Sequence, residues 1–166
     1  PNKQFFKEKV KQGEIHKHWE TSQKEIRDQK KVKFLKTHNS LITAFGNDFT
    51  KPEYSLGVIY VIRDPRNVIT SVKNHNDLDS YDEALKFMKD ENKVLEDYPH
   101  LKNYAKTNIV NSWRINYQSW LGNKSFRRLI IRYEDMVKEP TQTFEKLLVF
   151  VNTLMRFDNK IEHKKL

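Results

Sequence analysis

Three observations predict an α/β fold in which a parallel sheet is flanked by helices. Val58 to Ile62 reads VIYVI, a continuous apolar and β-branched run of strand length. The run stops at Arg63-Asp64-Pro65-Arg66, where proline cannot continue a central strand. Beyond it Val68, Ile69 and Val72 recur at helical spacing, with Asn67 as the expected N-cap. Strand, tight basic turn and helix follow one another, and open parallel sheets gather ligands at such strand ends.

From the N-terminus, residues 2–29 are rich in Lys, Glu and Gln, with Phe5, Phe6, Val10, Ile15, Trp19 and Ile26 at loosely helical spacing. One or two amphipathic helices, broken near Gly13, are expected. His16 and His18 are two apart and fall on different helix faces, which argues against a metal site. Lys31 to Thr37 reads as a strand through Val32, Phe34 and Leu35, delivering Lys36 and His38 at its carboxyl end on one face. Residues 39–57 read as loop with one short turn. The central strand and its helix reach about His75. Ser80 and Glu83 form a capping box for a helix running to about Leu95. Pro99 breaks the next segment. Thr107 to Leu121 reads as a helix stopped at Gly122-Asn123, Leu129 to Ile131 as a third strand, and Thr141 to Leu154 as a helix. Asn159 to Leu166 reads as a charged, frayed tail.

Composition limits the classes of function. The 166 residues suit one domain with a core, and their 37% hydrophobic content with 12% aromatics is on the polar side but not disordered in character. Without cysteine there is no disulfide, thiol nucleophile or cysteine metal site, which fits a reducing cytoplasm. No run approaches the about 18 apolar residues of a membrane span. The net charge is +9, of which residues 1–36 carry +6, so an anionic partner is favoured.

The chemistry centres on five residues. Arg63 has a permanent charge and a planar fork of donors, and Ser71 lies about one turn past Asn67, so the pair suits a phosphate. Equally, Arg63 and Arg66 read as solvated turn residues and Ser71 as an ordinary helix-surface residue. His38 is a candidate general base or a loop histidine without a role. Lys36 is a cation for a transferring group or a solvated strand-end lysine. Tyr133 is a ligand contact or a core aromatic. Glu134 and Asp135 are adjacent and diverge, which argues against a paired-carboxylate glycosidase site.

Three strings resemble one family in its order: FLKTHNS at 34–40, YVIRDPRNVITS at 60–71 and LIIRYEDMVKEP at 129–140. They look like the sulfotransferases that use 3'-phosphoadenosine 5'-phosphosulfate (PAPS), in a bacterial, cytosolic version. The resemblance covers roughly 32–151. It implies a three-layer sheet of P-loop nucleotide-hydrolase-like topology, His38 as catalytic base and Lys36 as catalytic cation. It further implies Arg63 and Ser71 as ligands of the 3'-phosphate, Tyr133 against the adenine, and Glu134 and Asp135 as turn and capping residues. The co-substrate would be PAPS, with no metal, and the acceptor a small molecule or glycan. No nucleic acid and no membrane partner is expected.

The string NSWRINYQSW, 111–120, resembles the family's helix signature, with Asn111 where glycine is frequent and Asn116 where histidine is. Trp113 and Trp120 read as core anchors. The family's Gly/Ser/Thr-rich phosphosulfate loop with its lysine has no counterpart among Gly13, Gly46, Gly57 and Gly122, nor does its closing Arg-Lys-Gly segment. The chain is therefore expected to be a partial single domain, 1–166, with an exposed sheet edge and weak or no transfer activity by itself, its full-length parent being the enzyme. Two other classes stand beside this reading. One is a non-catalytic module binding a nucleotide or polyanion through the basic N-terminal region. The other is a related P-loop-fold kinase, although no Walker lysine is visible.

Overall fold

A computed structural model of the chain describes residues 15–29, 32–97 and 106–162. The chain divides into two compact units, Pro1–Tyr54 with Leu85–Gly122, and Ser55–Ala84 with Asn123–Leu166.

In the first unit a 3-10 turn, Ile15–His18, leads into α1, Trp19–Asp28. A short hairpin follows, β1 (Thr43–Ala44) and β2 (Asn47–Asp48), antiparallel about Phe45 and Gly46. Both turn residues have positive φ, 50° and 78°, as a two-residue hairpin turn of this hand requires. Trp19 packs edge-on to Phe49 at 5.2 Å, and Phe49 edge-on to Trp120 at 6.1 Å, which builds an aromatic core. His16 is buried against Trp19 and Phe45, so it is a packed histidine. Among the described residues no cluster of three or more His, Asp or Glu could hold a metal ion.

In the second unit β3 (Val58–Ile62) pairs in parallel with β6 (Arg128–Arg132), in the register Val58↔Arg128 through Ile62↔Arg132. Helix α2, Pro65–His75, follows β3, and α5 (Tyr133–Lys138) with α6 (Pro140–Glu162) follows β6. Ile131, Phe126, Thr143 and Leu154 form the buried centre. Gly57 lies where α6 presses on the strand entry: a Cβ there would sit 2.6 Å from Leu154 Cδ1 and 3.2 Å from the Arg127 carbonyl. Neither outer edge of this two-stranded sheet is paired among the described residues, and Val61 and Ile130 remain exposed.

Several expectations are corrected. The described residues hold one parallel strand pair, flanked in sequence by helices as expected, and two unexpected antiparallel pairs. No strand forms at 32–37: Val32, Phe34 and Leu35 are exposed, and a strand without a ladder partner leaves its backbone groups unpaired. Asp64, not Asn67, caps α2, because its carboxylate accepts the Arg66 N–H at 2.9 Å and Pro65 is pre-set for the first helical position.

Helix α3, Tyr81–Lys89, ends well before Leu95. Asp90 turns the chain by accepting the Asn92 N–H at 3.0 Å. Val94–Asp97 (β4) then pairs with Lys106–Ile109 (β5), so the next helix, α4, starts only at Trp113 and ends at Gly122. The β-branched Val94 and Ile109, paired across it, fit that ladder. The turn expected after the third strand is the helix α5, and α6 runs past Leu154 to Glu162, through the first half of the expected tail. Residues 1–14, Pro99 and the last four residues lie outside the described set. The cap is made at Ser80, whose Oγ accepts the Glu83 N–H at 3.2 Å, while Glu83 reaches back one residue further than a capping box does, accepting the Asp79 N–H at 3.1 Å.

Candidate functional site

In the second unit, register builds the site. Ile62 and Arg132 are the last paired residues of β3 and β6, so Arg63 and Tyr133 leave the sheet side by side. The Arg63 guanidinium carbon lies 4.7 Å from the centroid of the Tyr133 ring, a cation–π contact. Arg63 Nη1 donates to Ser71 Oγ at 2.8 Å. Three residues read separately from the sequence are thus one cluster. No carboxylate pairs with Arg63 among the described residues, and its Nε is buried without an acceptor. A buried donor left unsatisfied costs about 1–3 kcal/mol. An anion at this guanidinium would meet an uncompensated charge with donors to spare.

Arg66 is different. Its guanidinium chelates the Asp64 carboxylate through contacts of 2.6, 3.0 and 3.1 Å. Those bonds, with the Arg66 N–H, hold the Asp64 carboxyl down at about 2. The start of α2 is therefore occupied by its own carboxylate. Ser71 lies nearly two turns beyond that start, outside the reach of the helix dipole, so its role comes from the Arg63 contact. Glu134 Oε1 accepts the Asp64 N–H at 2.9 Å, and this bond holds the Glu134 carboxyl below the usual range.

Lys36 and His38 belong to the first unit. Both side chains are exposed in irregular chain, so the alternation of a strand does not put them on one face. Burial begins immediately after His38. Asn39 and Ser40 are buried; Asn39 Oδ1 accepts the Ile109 N–H at 2.7 Å, and Ser40 Oγ donates to the Val110 carbonyl at 2.7 Å. Trp120 Nε1 donates to the Asn39 carbonyl at 3.0 Å, and Asn116 Nδ2 to the His38 carbonyl at 3.2 Å. Trp120 is a core anchor as expected, whereas Trp113 is half-buried and packs on Tyr117 at 4.8 Å. Asn111 has φ 56°, which explains an asparagine where glycine is frequent: both tolerate the left-handed region.

Sequence reasoning misses Asn39, Ser40 and Asn116 as supports of the histidine loop. Their signal is weak: two polar residues directly after His38 and one on a helix, with no periodicity to mark them as buried. No described helix is long and apolar enough to cross a membrane.

Comparison with known proteins agrees with the motif reading. The family model of the sulfotransferase domain matches residues 3–163. A search of curated proteins finds no match.

Proposed function

The chain belongs to the sulfotransferase domain family, and from that premise we propose that it takes part in sulfuryl transfer from PAPS to an acceptor hydroxyl or amine. The observation that carries the nucleotide half is the Arg63 cluster: a guanidinium stacked on Tyr133, bonded to Ser71 and otherwise lacking acceptors among the described residues. Arg63 and Ser71 would hold the 3'-phosphate, with the Tyr133 ring beside the adenine. In the reaction the acceptor oxygen or nitrogen attacks sulfur while the bond from sulfur to the 5'-phosphate oxygen breaks. The acceptor proton goes to His38, and Lys36 offsets negative charge on the transferring group. Adenosine 3',5'-bisphosphate leaves. The wider parallel sheet of the family, an acceptor that is a small molecule or glycan, and a bacterial cytoplasmic setting belong to the same proposal, as does a longer parent that supplies the phosphosulfate loop.

Equilibrium binding is the test, because it does not require that loop. Adenosine 3',5'-bisphosphate should bind more tightly than 5'-AMP, and Arg63→Ala should weaken it about ten- to hundredfold, the range of a lost charged hydrogen bond. Equal affinity for the two nucleotides, or indifference to Arg63→Ala, would remove the reading. A second reading, a nucleotide-binding module without transfer, is favoured by the exposure of Lys36 and His38 in irregular chain. PAPS-dependent sulfation lost in His38→Ala, with nucleotide affinity kept, would decide against it.

A further inference from the structure

Glu134 stands next to Tyr133 at the start of α5, and its position is unusual for a surface carboxylate: it is half-buried and takes a backbone donor 70 residues away, the Asp64 N–H, at 2.9 Å. That N–H belongs to the peptide unit joining Arg63 to Asp64. Because the peptide is planar, holding its N–H orients the whole peptide unit, which restrains the rotation about the Arg63 Cα–C bond and so the path along which the Arg63 side chain leaves the backbone. We propose that Glu134 is a positioning residue for the Arg63 anion site. This rests on the reading of Arg63 as a phosphate ligand.

Arg63 is held from three sides. Tyr133 supports the guanidinium face at 4.7 Å, Ser71 accepts from Nη1 at 2.8 Å, and Glu134 fixes the peptide on its carboxyl side. Asp64 cannot replace Glu134 in this role, because its own carboxylate is committed to the Arg66 N–H and guanidinium. The groups facing Glu134 are the Asp64 N–H and its own N–H, which favour the anion, the Arg132 charge, which favours it, and the Asp64 carboxylate, which opposes it. Glu134 is also in the first turn of α5, where a carboxylate is favoured. The bond is thus made by a carboxylate whose ionised form its surroundings favour. Two consecutive residues divide the support of one arginine between them. Tyr133 holds its head and Glu134 its root.

The test is a double-mutant cycle on adenosine 3',5'-bisphosphate affinity, with 5'-AMP as control and thermal unfolding recorded for each variant. Glu134→Ala should weaken bisphosphate binding about tenfold, the size of one charge-assisted hydrogen bond, and leave 5'-AMP unchanged. In the Arg63→Ala background the same change should cost nothing further, since Glu134 acts through Arg63. Glu134→Gln keeps an acceptor oxygen at the same reach and should restore binding to within about threefold. Glu134→Asp is one methylene short and should not; the Asp and Gln pair decides the matter if the alanine variant does not fold.

A merely structural Glu134 would lower the unfolding temperature in Glu134→Ala without altering affinity well below that temperature, and this would overturn the proposal. So would a full additive loss in the Arg63→Ala background. If Arg63→Ala itself leaves binding intact, the anion-site reading fails and the role of Glu134 with it. If Arg63→Ala weakens binding and Glu134→Ala does not, only the role of Glu134 fails.

Discussion

Two stretches of this chain carry its proposed chemistry, and they are built differently. Around Arg63 every neighbour is assigned: Asp64 caps the helix, Arg66 chelates Asp64, Glu134 holds the Asp64 N–H, and Tyr133 and Ser71 hold the arginine. From 32 to 38 all residues are exposed, and burial starts only at Asn39 and Ser40. A strand–turn–helix unit brings most of its partners within a few residues of itself and needs one paired strand to complete it. A strand alone needs a neighbour, and without one its apolar residues stay in water.

That difference can be broken from the packed side first. Trp120→Ala removes a buried indole that holds the Asn39 carbonyl and meets Phe49 edge-on, and should cost about 3–5 kcal/mol by urea unfolding. If it costs under about 1 kcal/mol, residues 39 and 40 are not anchored as described. In the second unit, Gly57→Ala drives a methyl group against Leu154 and the Arg127 carbonyl and should cost about 1–3 kcal/mol, read the same way.

A smaller effect is the acid limb. The Asp64 carboxyl lies at about 2 in the folded chain, against an ordinary value of 3.8. A depressed carboxyl contributes stability that is complete above its unfolded value and is lost as pH falls through the folded one. Stability should therefore decline between about pH 4 and 2, and Asp64→Asn, which keeps a capping oxygen, should flatten that decline. An identical acid limb in the variant would show that Asp64 carries none of it. The smallest effect is expected at Phe34. It is 72% exposed, so Phe34→Ser should change stability by no more than about 0.5 kcal/mol. A loss of several times that would mean the stretch is covered, and the contrast between the two stretches would fall.

How far the sequence is legible follows the same contrast. VIYVI ending at Arg63-Asp64-Pro65 is found as a strand and helix with its residues nearly in place, because length, β-branching and proline act locally. The cap lies three residues before the expected one, since Asn67 and Asp64 are both good caps and only Pro65 at the first helical position separates them. Lys31 to Thr37 carries the same apolar signal but is irregular where described, as pairing is a property of the neighbour. Val94 and Ile109 fit helical and strand periods alike, and the ladder between them decides. At the site, Arg63, Ser71 and Tyr133 can be named from motif strings, but Glu134 cannot be given a backbone partner, because a hydrogen bond to an N–H 70 residues away leaves no trace in residue type.

The central claim, that the Arg63 turn receives a 3'-phosphate, is tested most directly at the arginine itself. The Arg63 Nε–H resonance should be followed by nitrogen-edited NMR and assigned with Arg63→Lys. It should shift and slow in exchange with solvent as adenosine 3',5'-bisphosphate is added, and stay still with 5'-AMP. A resonance indifferent to both nucleotides, or one that responds equally to both, would contradict the account.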